Sequence, residues 1–160
     1  YRDSSKSTLA RAGIIMYGLC PNYPIPIPDE FEPVMALKAV ISHVKTVKAG
    51  DTISYGRTFT ADKDMRIATV TIGYADGYSR LLSSKGEILV HGKRCRIVGR
   101  ICMDQLMIDV SDAEAEAGDI VTLIGRDGND EITADELASL YGTIGYEVVC
   151  GISKRVPRIF

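Results

Sequence analysis

The sequence is poor in the residues that give many protein classes an obvious signature. It has no tryptophan, two histidines and four cysteines among 160 residues. Because the cysteines form no Cys-x-x-Cys pair, the closely spaced soft ligands of a zinc site are missing, and we expect no metal site. We expect reduced, mostly buried thiols in a cytoplasmic protein and no disulfide framework. The four cysteines are Cys20, Cys95, Cys102 and Cys150.

An excess of one charge and long apolar runs are also missing. The 19 lysines and arginines stand against 21 aspartates and glutamates, which gives a formal charge of −2. This balance does not favour nucleic acid or an anionic membrane as a partner. Charged residues or prolines interrupt every apolar run before the roughly 18 residues that a spanning helix needs. The charged first residues have no apolar core behind them, so we expect neither a membrane segment nor a signal peptide in this chain.

Proline divides the chain. Five of the six prolines lie in residues 21–33, where proline's fixed φ and missing amide hydrogen exclude a helix or an inner strand. We predict an extended connector there. The apolar run in residues 13–19 is typical of a strand buried on both faces in a parallel sheet. One such strand cannot bury itself, so residues 1–20 are interpreted as the end of a larger, incomplete α/β unit.

After the connector, apolar and polar residues alternate with a period of two, which predicts short strands. The alternating segments are residues 35–41, 66–72, 87–91, 96–101 and 119–124. Glycine-rich turns separate them, including a predicted loop at 125–129, as in an antiparallel barrel or sandwich. A helix is predicted after Thr133, whose spacing to Glu136 is that of a capping box, and it should end at Gly142. Residues 34–160 are therefore predicted to be a mostly β, antiparallel barrel-like domain with one or two short helices.

Generic catalytic motifs are missing from the sequence. There is no phosphate-binding glycine loop before a helix, no Gly-x-Ser-x-Gly and no His-Glu-x-x-His. No partner is indicated for His43 or His91, and surface or packing roles are favoured for both. Tyr55, Tyr74 and Tyr146 each lie beside a glycine at a predicted strand end, where packing is the usual role of the ring. A tyrosine acting as a base needs a nearby cation or strong donor, because its free pKa is about 10.

Six motifs taken together resemble the carboxy-terminal part of bacterial alanine racemases. They are residues 11–19, 48–56, 72–78, 99–105, 143–147 and 153–158, and they follow the family's order nearly from end to end of the chain. That family joins a (β/α)8 barrel, which holds pyridoxal phosphate (PLP), to a β-rich domain. The resemblance implies that residues 1–20 end the PLP-binding barrel and that 34–160 form the β-rich domain.

The resemblance also implies roles at the chemical centre. Tyr55 matches the catalytic tyrosine, which enters the neighbouring subunit's site in a homodimer and exchanges the α-proton of alanine on the L face. Met103 matches the residue whose backbone amide binds the substrate carboxylate. The implied reaction interconverts L-alanine and D-alanine with two bases on opposite faces of the α-carbon, because one base would tend to return the proton where it came from. Its product would supply cell-wall peptidoglycan.

Further roles follow from the same resemblance. Arg11 matches the arginine that donates to the pyridine nitrogen of PLP, while Gly13 and Ile14 match residues whose backbone amides face the phosphate. Tyr146 matches a tyrosine that reaches the phosphate and narrows the entrance. Three residues resemble those that line the substrate entryway, and for them an access role and a plain structural role are equally open. They are Tyr74, Arg80 and Arg100.

One departure from the family pattern is large. The family's Schiff-base lysine lies in a Lys-Ala-Asn/Asp-Ala-Tyr-Gly context that this chain lacks, so the second base is missing and the 160 residues alone are expected to be inactive. Two alternatives stay open. A racemase acting on serine as well as alanine is disfavoured by the bulky Tyr146. A non-catalytic β domain used for binding or assembly leaves the motif contexts of Tyr55, Met103 and Arg11 unexplained.

Overall fold

A computed structural model of the chain describes residues 8–9, 11–21, 28 and 30–160. Its strands are β1 (Leu37–Val47), β2 (Thr52–Ile53), β3 (Phe59–Thr60), β4 (Met65–Val70), β5 (Glu87–Val90), β6 (Lys93–Arg96), β7 (Leu106–Asp109), β8 (Ile120–Asp127) and β9 (Asp130–Ile132). Its α-helices are α1 (Ala134–Tyr141) and α2 (Gly145–Gly151). Short 3-10 helices cover Gly13–Tyr17, Tyr55–Arg57, Tyr74–Asp76 and Arg80–Leu82.

Most strands belong to one antiparallel sheet with the order β6-β5-β8-β1-β4-β7, and β9 pairs with β8. The long strand β1 pairs with β8 through its first half and with β4 through its second. A bridge between Ile97 and Ile108 joins the two ends of this order, next to a 2.9 Å bond from the Val98 amide to the Met107 carbonyl. The sheet is thereby closed on itself. The predicted antiparallel, barrel-like and mostly β fold is confirmed.

The alternating apolar residues line the inside of this closed sheet. Ile41, Val70, Ile88 and Leu106 are fully buried there, and each such side chain contributes about 1.5–3 kcal/mol to folding. A second, smaller cluster lies under the β2–β3 hairpin and holds that hairpin against the barrel. Its buried members are Val47, Ile53, Ala61, Met65, Ile67 and Val98.

Two predicted boundaries are wrong. The segment predicted as a loop at 125–129 is mostly strand, because Gly125–Asp127 pair with Asp130–Ile132 across a turn at residues 128–129. The strand predicted over 96–101 already ends at Arg96. Gly99, with φ 73°, turns the chain out of the sheet.

The strand predicted at residues 13–19 is also wrong. Gly13–Tyr17 form a 3-10 helix, and Gly13 and Gly18 both adopt left-handed backbone conformations (φ 63° and 70°) that a continuous strand does not use. Met16 and Tyr17 are 69% and 58% exposed, so the segment is not buried on both faces. The interpretation of residues 1–20 as the end of an α/β unit stays a prediction, and most of the predicted connector lies outside the described residues.

The predicted helix is confirmed as α1. The Thr133 hydroxyl accepts a 3.0 Å bond from the Glu136 amide at its start, and Gly142, with φ 80°, ends it. The sequence analysis did not place α2, which follows at once. Within the part of the chain that the structure describes, no helix has the length and apolar character to cross a bilayer.

Candidate functional site

Tyr55 lies on an exposed turn that is tied to another loop of the barrel. Its turn begins at Ser54, whose hydroxyl donates a 2.6 Å bond to the Arg100 carbonyl oxygen. A β-carbon on Gly56 would lie 3.0 Å from Nη1 of Arg100, so the guanidinium rests against the backbone just after Tyr55. The Tyr55 side chain is 73% exposed. The structure therefore brings Tyr55 and Arg100 together, and the Tyr55 ring points out of the domain.

Met103 lies beside the turn that carries Tyr74. The amides of Tyr74 and Ala75 each donate a 3.0 Å bond, to the carbonyls of Cys102 and Met103 respectively. Among the described residues, nothing accepts a hydrogen bond from the amide of Met103, whose side chain is half exposed. The loop therefore presents an unpaired backbone donor at its surface, which is suited to an anionic oxygen.

A third segment, which carries Arg155, holds the Tyr74 turn and the Met103 loop together. Arg155 forms an ion pair with Asp76 at 3.0 Å and one with Asp104 at 2.6 Å. The Asp76 carboxylate also accepts a 2.9 Å bond from the Gly73 amide. The hydrogen bond from Arg155 to Asp104, followed by the charge of Asp76, raises the pKa of Arg155. The sequence analysis did not single out Arg155, Asp76 or Asp104, although each lies inside one of the six motifs.

Arg80 joins the same group of loops through a serine. The Ser83 hydroxyl donates to the Arg80 carbonyl at 2.5 Å and accepts from the Ile101 amide at 3.0 Å. Arg80 itself is exposed. We call the three connected segments, residues 54–57, 73–83 and 97–105, the loop cluster. It contains Tyr55, Tyr74, Arg80, Arg100 and Met103.

The remaining predicted site residues lie on two other segments. Arg11 and Gly13 are exposed and Ile14 is buried. The first amides of the Gly13–Tyr17 helix have no acceptor within that helix, as at any helix start. Tyr146 lies in the first turn of α2 and not at a strand end, and it is 38% exposed.

Tyr146 lines a cavity of about 200 Å³ together with the chain that follows the 3-10 helix. Cys20 and Pro21 form one wall of this cavity, and the Cys20 amide donates a 3.2 Å bond to the buried carboxylate of Asp135 on α1. No lysine is among the described residues that line it. The structure thus places Tyr146 near Cys20 and Pro21, which follow the 3-10 helix of Gly13 and Ile14 in the chain.

Helix α2 connects this cavity to the loop cluster. A β-carbon on Gly77 would overlap the carbonyl of Gly151 at the end of α2, so the Tyr74 turn packs directly on that helix end. The Ser153 amide also donates a 2.9 Å bond to the Asp76 carbonyl. Tyr146 and Tyr74 are therefore held on one continuous framework.

Other candidate ligands are not assembled into a site. His43 is exposed on β1, and His91 is exposed with its Nε2 3.0 Å from the Asp119 carboxylate. Within the described ranges, no group of three or more histidine, cysteine, aspartate or glutamate side chains could hold a metal ion. The chemistry available is that of amide, guanidinium and phenol donors, which suits phosphate and carboxylate groups.

Several known proteins resemble this chain in sequence, and those compared are alanine racemases. Residues 34–160 match the family model described as "Alanine racemase, C-terminal domain". The alanine racemase of Desulfovibrio desulfuricans is 50% identical over 153 residues, which cover 95% of this chain and 40% of that protein. The alanine racemase of Cutibacterium acnes is 50% identical over 157 residues, covering 98% and 42%.

A solved structure gives the same result. The crystal structure of alanine racemase from Bacillus anthracis with bound L-Ala-P superposes with a TM-score of 0.87 at 49% identity. The match covers 92% of the chain described here and 38% of the Bacillus anthracis chain. The chain spans about two fifths of the length of these relatives.

Proposed function

The chain belongs to the alanine racemase carboxy-terminal domain family, and we propose that the protein containing it is an isomerase that interconverts L-alanine and D-alanine. The observation that carries this proposal is the loop cluster, in which Arg100 contacts the residues on both sides of Tyr55 and Met103 follows Arg100 on the same loop. The D-alanine formed would supply peptidoglycan synthesis. Cys95, Cys102 and Cys150 are free thiols, which supports a reducing compartment, and we propose the cytoplasm.

Tyr55 is proposed as the base that exchanges the α-proton on the L face. Its ring is largely exposed and no wall of this domain encloses it, as expected of a residue that completes the site of a second subunit. We therefore propose a homodimer in which each active site is shared between subunits. The Arg100 guanidinium lies against Gly56, the residue that follows Tyr55 in the chain.

The Met103 amide is proposed to bind the carboxylate of alanine. It has no acceptor among the described residues, and a charged acceptor makes a short, strong bond with a backbone amide. This bond would hold the α-carbon at a fixed distance from the Tyr55 phenol. Tyr74, Arg80 and Arg100 belong to the same loops and are proposed to line the path by which alanine enters.

Four residues of this chain are proposed to hold PLP in the intact enzyme. The backbone amides of Gly13 and Ile14 and the Tyr146 phenol are donors that fit a phosphate group, and Gly13 has no β-carbon to obstruct a close approach. The permanently charged Arg11 would donate to the pyridine nitrogen and keep that nitrogen unprotonated. When bound, PLP draws electrons from the α-carbon and makes its proton exchangeable.

The 160 residues by themselves are proposed not to racemise alanine. The second base of a two-base exchange has to face the α-carbon from the side opposite Tyr55. No lysine lies in the loop cluster or among the described residues that line the Tyr146 cavity. A lysine outside this chain is therefore proposed to complete the site.

The decisive experiment is an assay of the intact native protein. Its mass and a peptide map should show a chain about two and a half times this length with a PLP-bound lysine outside these residues. Racemisation should then be measured with L-alanine, D-alanine and L-serine. Faster conversion of alanine than of serine supports the proposal. If serine is converted as fast as alanine or faster, alanine is wrong as the preferred substrate. If neither amino acid is converted, racemase activity is refuted.

A further inference from the structure

The residue before Tyr55 has an unusual backbone conformation. Ser54 has φ 68° and ψ 175°, a region that is almost restricted to glycine because a β-carbon is crowded there. Such strain persists only where the surroundings hold the residue in place, and it tends to concentrate at functional sites. Since Ser54 directly precedes Tyr55, its backbone sets the direction in which the Tyr55 side chain leaves the turn.

Contacts with the facing loop hold Ser54 in this conformation, including one of 3.8 Å between its hydroxyl oxygen and the Cys102 sulfur. Its hydroxyl donates a 2.6 Å bond to the Arg100 carbonyl, across 46 residues of sequence. Its β-carbon lies against Gly99, where an added β-carbon would come within 2.7 Å. Gly99 itself has a left-handed φ of 73°. The crowded serine on one loop is thus matched by a glycine on the facing loop.

Arg100 contacts the turn on both sides of Tyr55. Its carbonyl binds the side chain of Ser54, the residue before, and its guanidinium lies against Gly56, the residue after. Tyr55 is 73% exposed as a residue, so its ring has little packing within the domain to fix it. The orientation of the phenol therefore depends on the backbone that Ser54 and Arg100 hold.

We propose that Ser54 is a positioning residue for Tyr55. The hydroxyl bond to Arg100 keeps the backbone in its strained conformation, and that conformation aims the phenol at the α-carbon bound in the partner subunit. This inference rests on the proposed function of Tyr55 as the L-face base. It assigns no proton transfer to Ser54 itself.

The test uses Ser54→Gly and Ser54→Ala in the intact, PLP-loaded enzyme. Glycine tolerates the backbone conformation, so Ser54→Gly should keep the wild-type melting temperature and yet lose the hydroxyl bond. We expect kcat to fall about tenfold with KM nearly unchanged, because a small misplacement of a reacting group slows the chemical step. Ser54→Ala should show a similar fall in kcat. With α-deuterated L-alanine, the primary isotope effect should increase in both variants, because proton transfer limits the rate more strongly.

Ser84→Gly is the matched control. Ser84 is also a serine with positive φ (55°), and its hydroxyl also donates to a backbone carbonyl of the same facing loop, that of Gly99 at 3.3 Å. It does not adjoin Tyr55. Its substitution should leave kcat and the isotope effect at wild-type values.

Tyr55→Phe, measured alongside, separates two kinds of failure. If Tyr55→Phe keeps full activity, the function proposed for Tyr55 is wrong. If Tyr55→Phe is inactive while both Ser54 variants keep wild-type kcat and isotope effect, only the positioning role is refuted. A loss of activity in Ser54→Gly that merely follows a loss of folded protein, or that Ser84→Gly reproduces, also refutes it.

Discussion

Gly73 lies so close to Met103 that a β-carbon on Gly73 would overlap the Met103 carbonyl group. The backbone of Gly73 is extended, with φ −152°, so its conformation alone would permit any residue. The requirement for glycine comes from the facing loop. This close approach sets the position of the Met103 amide relative to the Tyr74 turn.

Gly73→Ala should therefore destabilise the domain by about 1–3 kcal/mol, the usual cost of forcing extra volume into a packed site. In the intact enzyme, KM for alanine should increase, because the Met103 amide is displaced. Urea unfolding and steady-state kinetics measure the two effects. Gly151→Ala is the control, since its β-carbon would meet only the Gly77 carbonyl at 3.9 Å. Equal stability of the two variants would contradict the packing argument.

Tyr55→Phe in the intact enzyme should lower kcat/KM for alanine about 10²–10⁴-fold, the usual contribution of a general base. The loss has to be equal for L- and D-alanine, because the equilibrium constant between enantiomers is one. PLP content, measured by absorbance, should not change, since Tyr55 is not proposed to bind the cofactor. Tyr141→Phe on α1 serves as the control. Full racemisation by Tyr55→Phe would exclude this tyrosine as a base.

Tyr78 is almost completely buried, and its hydroxyl has no hydrogen-bond partner among the described residues. An unpaired buried hydroxyl costs about 1–3 kcal/mol. Tyr78→Phe should therefore increase the free energy of unfolding by about 1 kcal/mol at neutral pH, as measured by urea unfolding. A less stable variant would mean that the hydroxyl has a partner after all.

The same substitution has a pH signature. Burial raises the pKa of Tyr78 above its ordinary value of about 10. The unfolded chain therefore loses this proton first, and the wild type loses stability as the pH increases above about 10. The phenylalanine variant has no such proton to lose, so its stability advantage over the wild type should widen by about 1.4 kcal/mol between pH 8 and pH 11, one pH unit above the free pKa.

Arg94 connects β6 to three carboxylates, Glu87 at 3.3 Å, Asp130 at 2.8 Å and Glu136 at 2.6 Å. Arg94→Met should destabilise the domain by about 1 kcal/mol, since the network is partly exposed and water weakens it. The matched control is Arg126→Met, which removes a single ion pair with a highly exposed arginine and should change little. Urea unfolding of both variants at low and high salt measures the difference, which should shrink with salt.

The difference in stability between the wild type and Arg94→Met should depend on pH with a definite sign. The hydrogen bond from Arg94 holds the pKa of Asp130 below its ordinary value of about 3.9. The stabilisation is therefore present above that value and is lost as the pH falls through the lowered pKa. Wild type and Arg94→Met should converge in stability at acidic pH. A gap that is unchanged under acidic conditions would rule out the ion pairs as its cause.

Local sequence determined α1 but not α2. The capping threonine and the final glycine of α1 lie within a few residues of the helix they bound, so the pattern was sufficient. Helix α2 contains Val148 and Val149 and has glycine at both ends, all poor helix formers. It exists because Val148 is buried against the barrel, which is a tertiary effect. For this reason Tyr146 was expected at a strand end and lies on a helix.

In the candidate site, too, the sequence predicted some features and only the structure revealed others. The motif resemblance selected Tyr55 and Met103, and the structure shows what surrounds them. The bond between Ser54 and Arg100 and the ion pair between Arg155 and Asp104 join residues 46 and 51 positions apart. A local sequence pattern cannot predict a contact between residues so far apart in the chain. Such a contact depends on the register of the closed sheet.

The bridge between Ile97 and Ile108 has a consequence for how the domain behaves alone. An open sheet ends in rows of unpaired backbone groups onto which other chains can add. Here the bridge joins the chain just after β6 to β7, the two strands at the ends of the sheet order. Three of the four residues of β6 are exposed and positively charged, namely Lys93, Arg94 and Arg96. Charged side chains of this kind oppose strand addition. Aggregation of the 160-residue chain should therefore begin not at β6 or β7 but at its exposed apolar side chains, among them Leu9, Met16, Tyr17 and Val34.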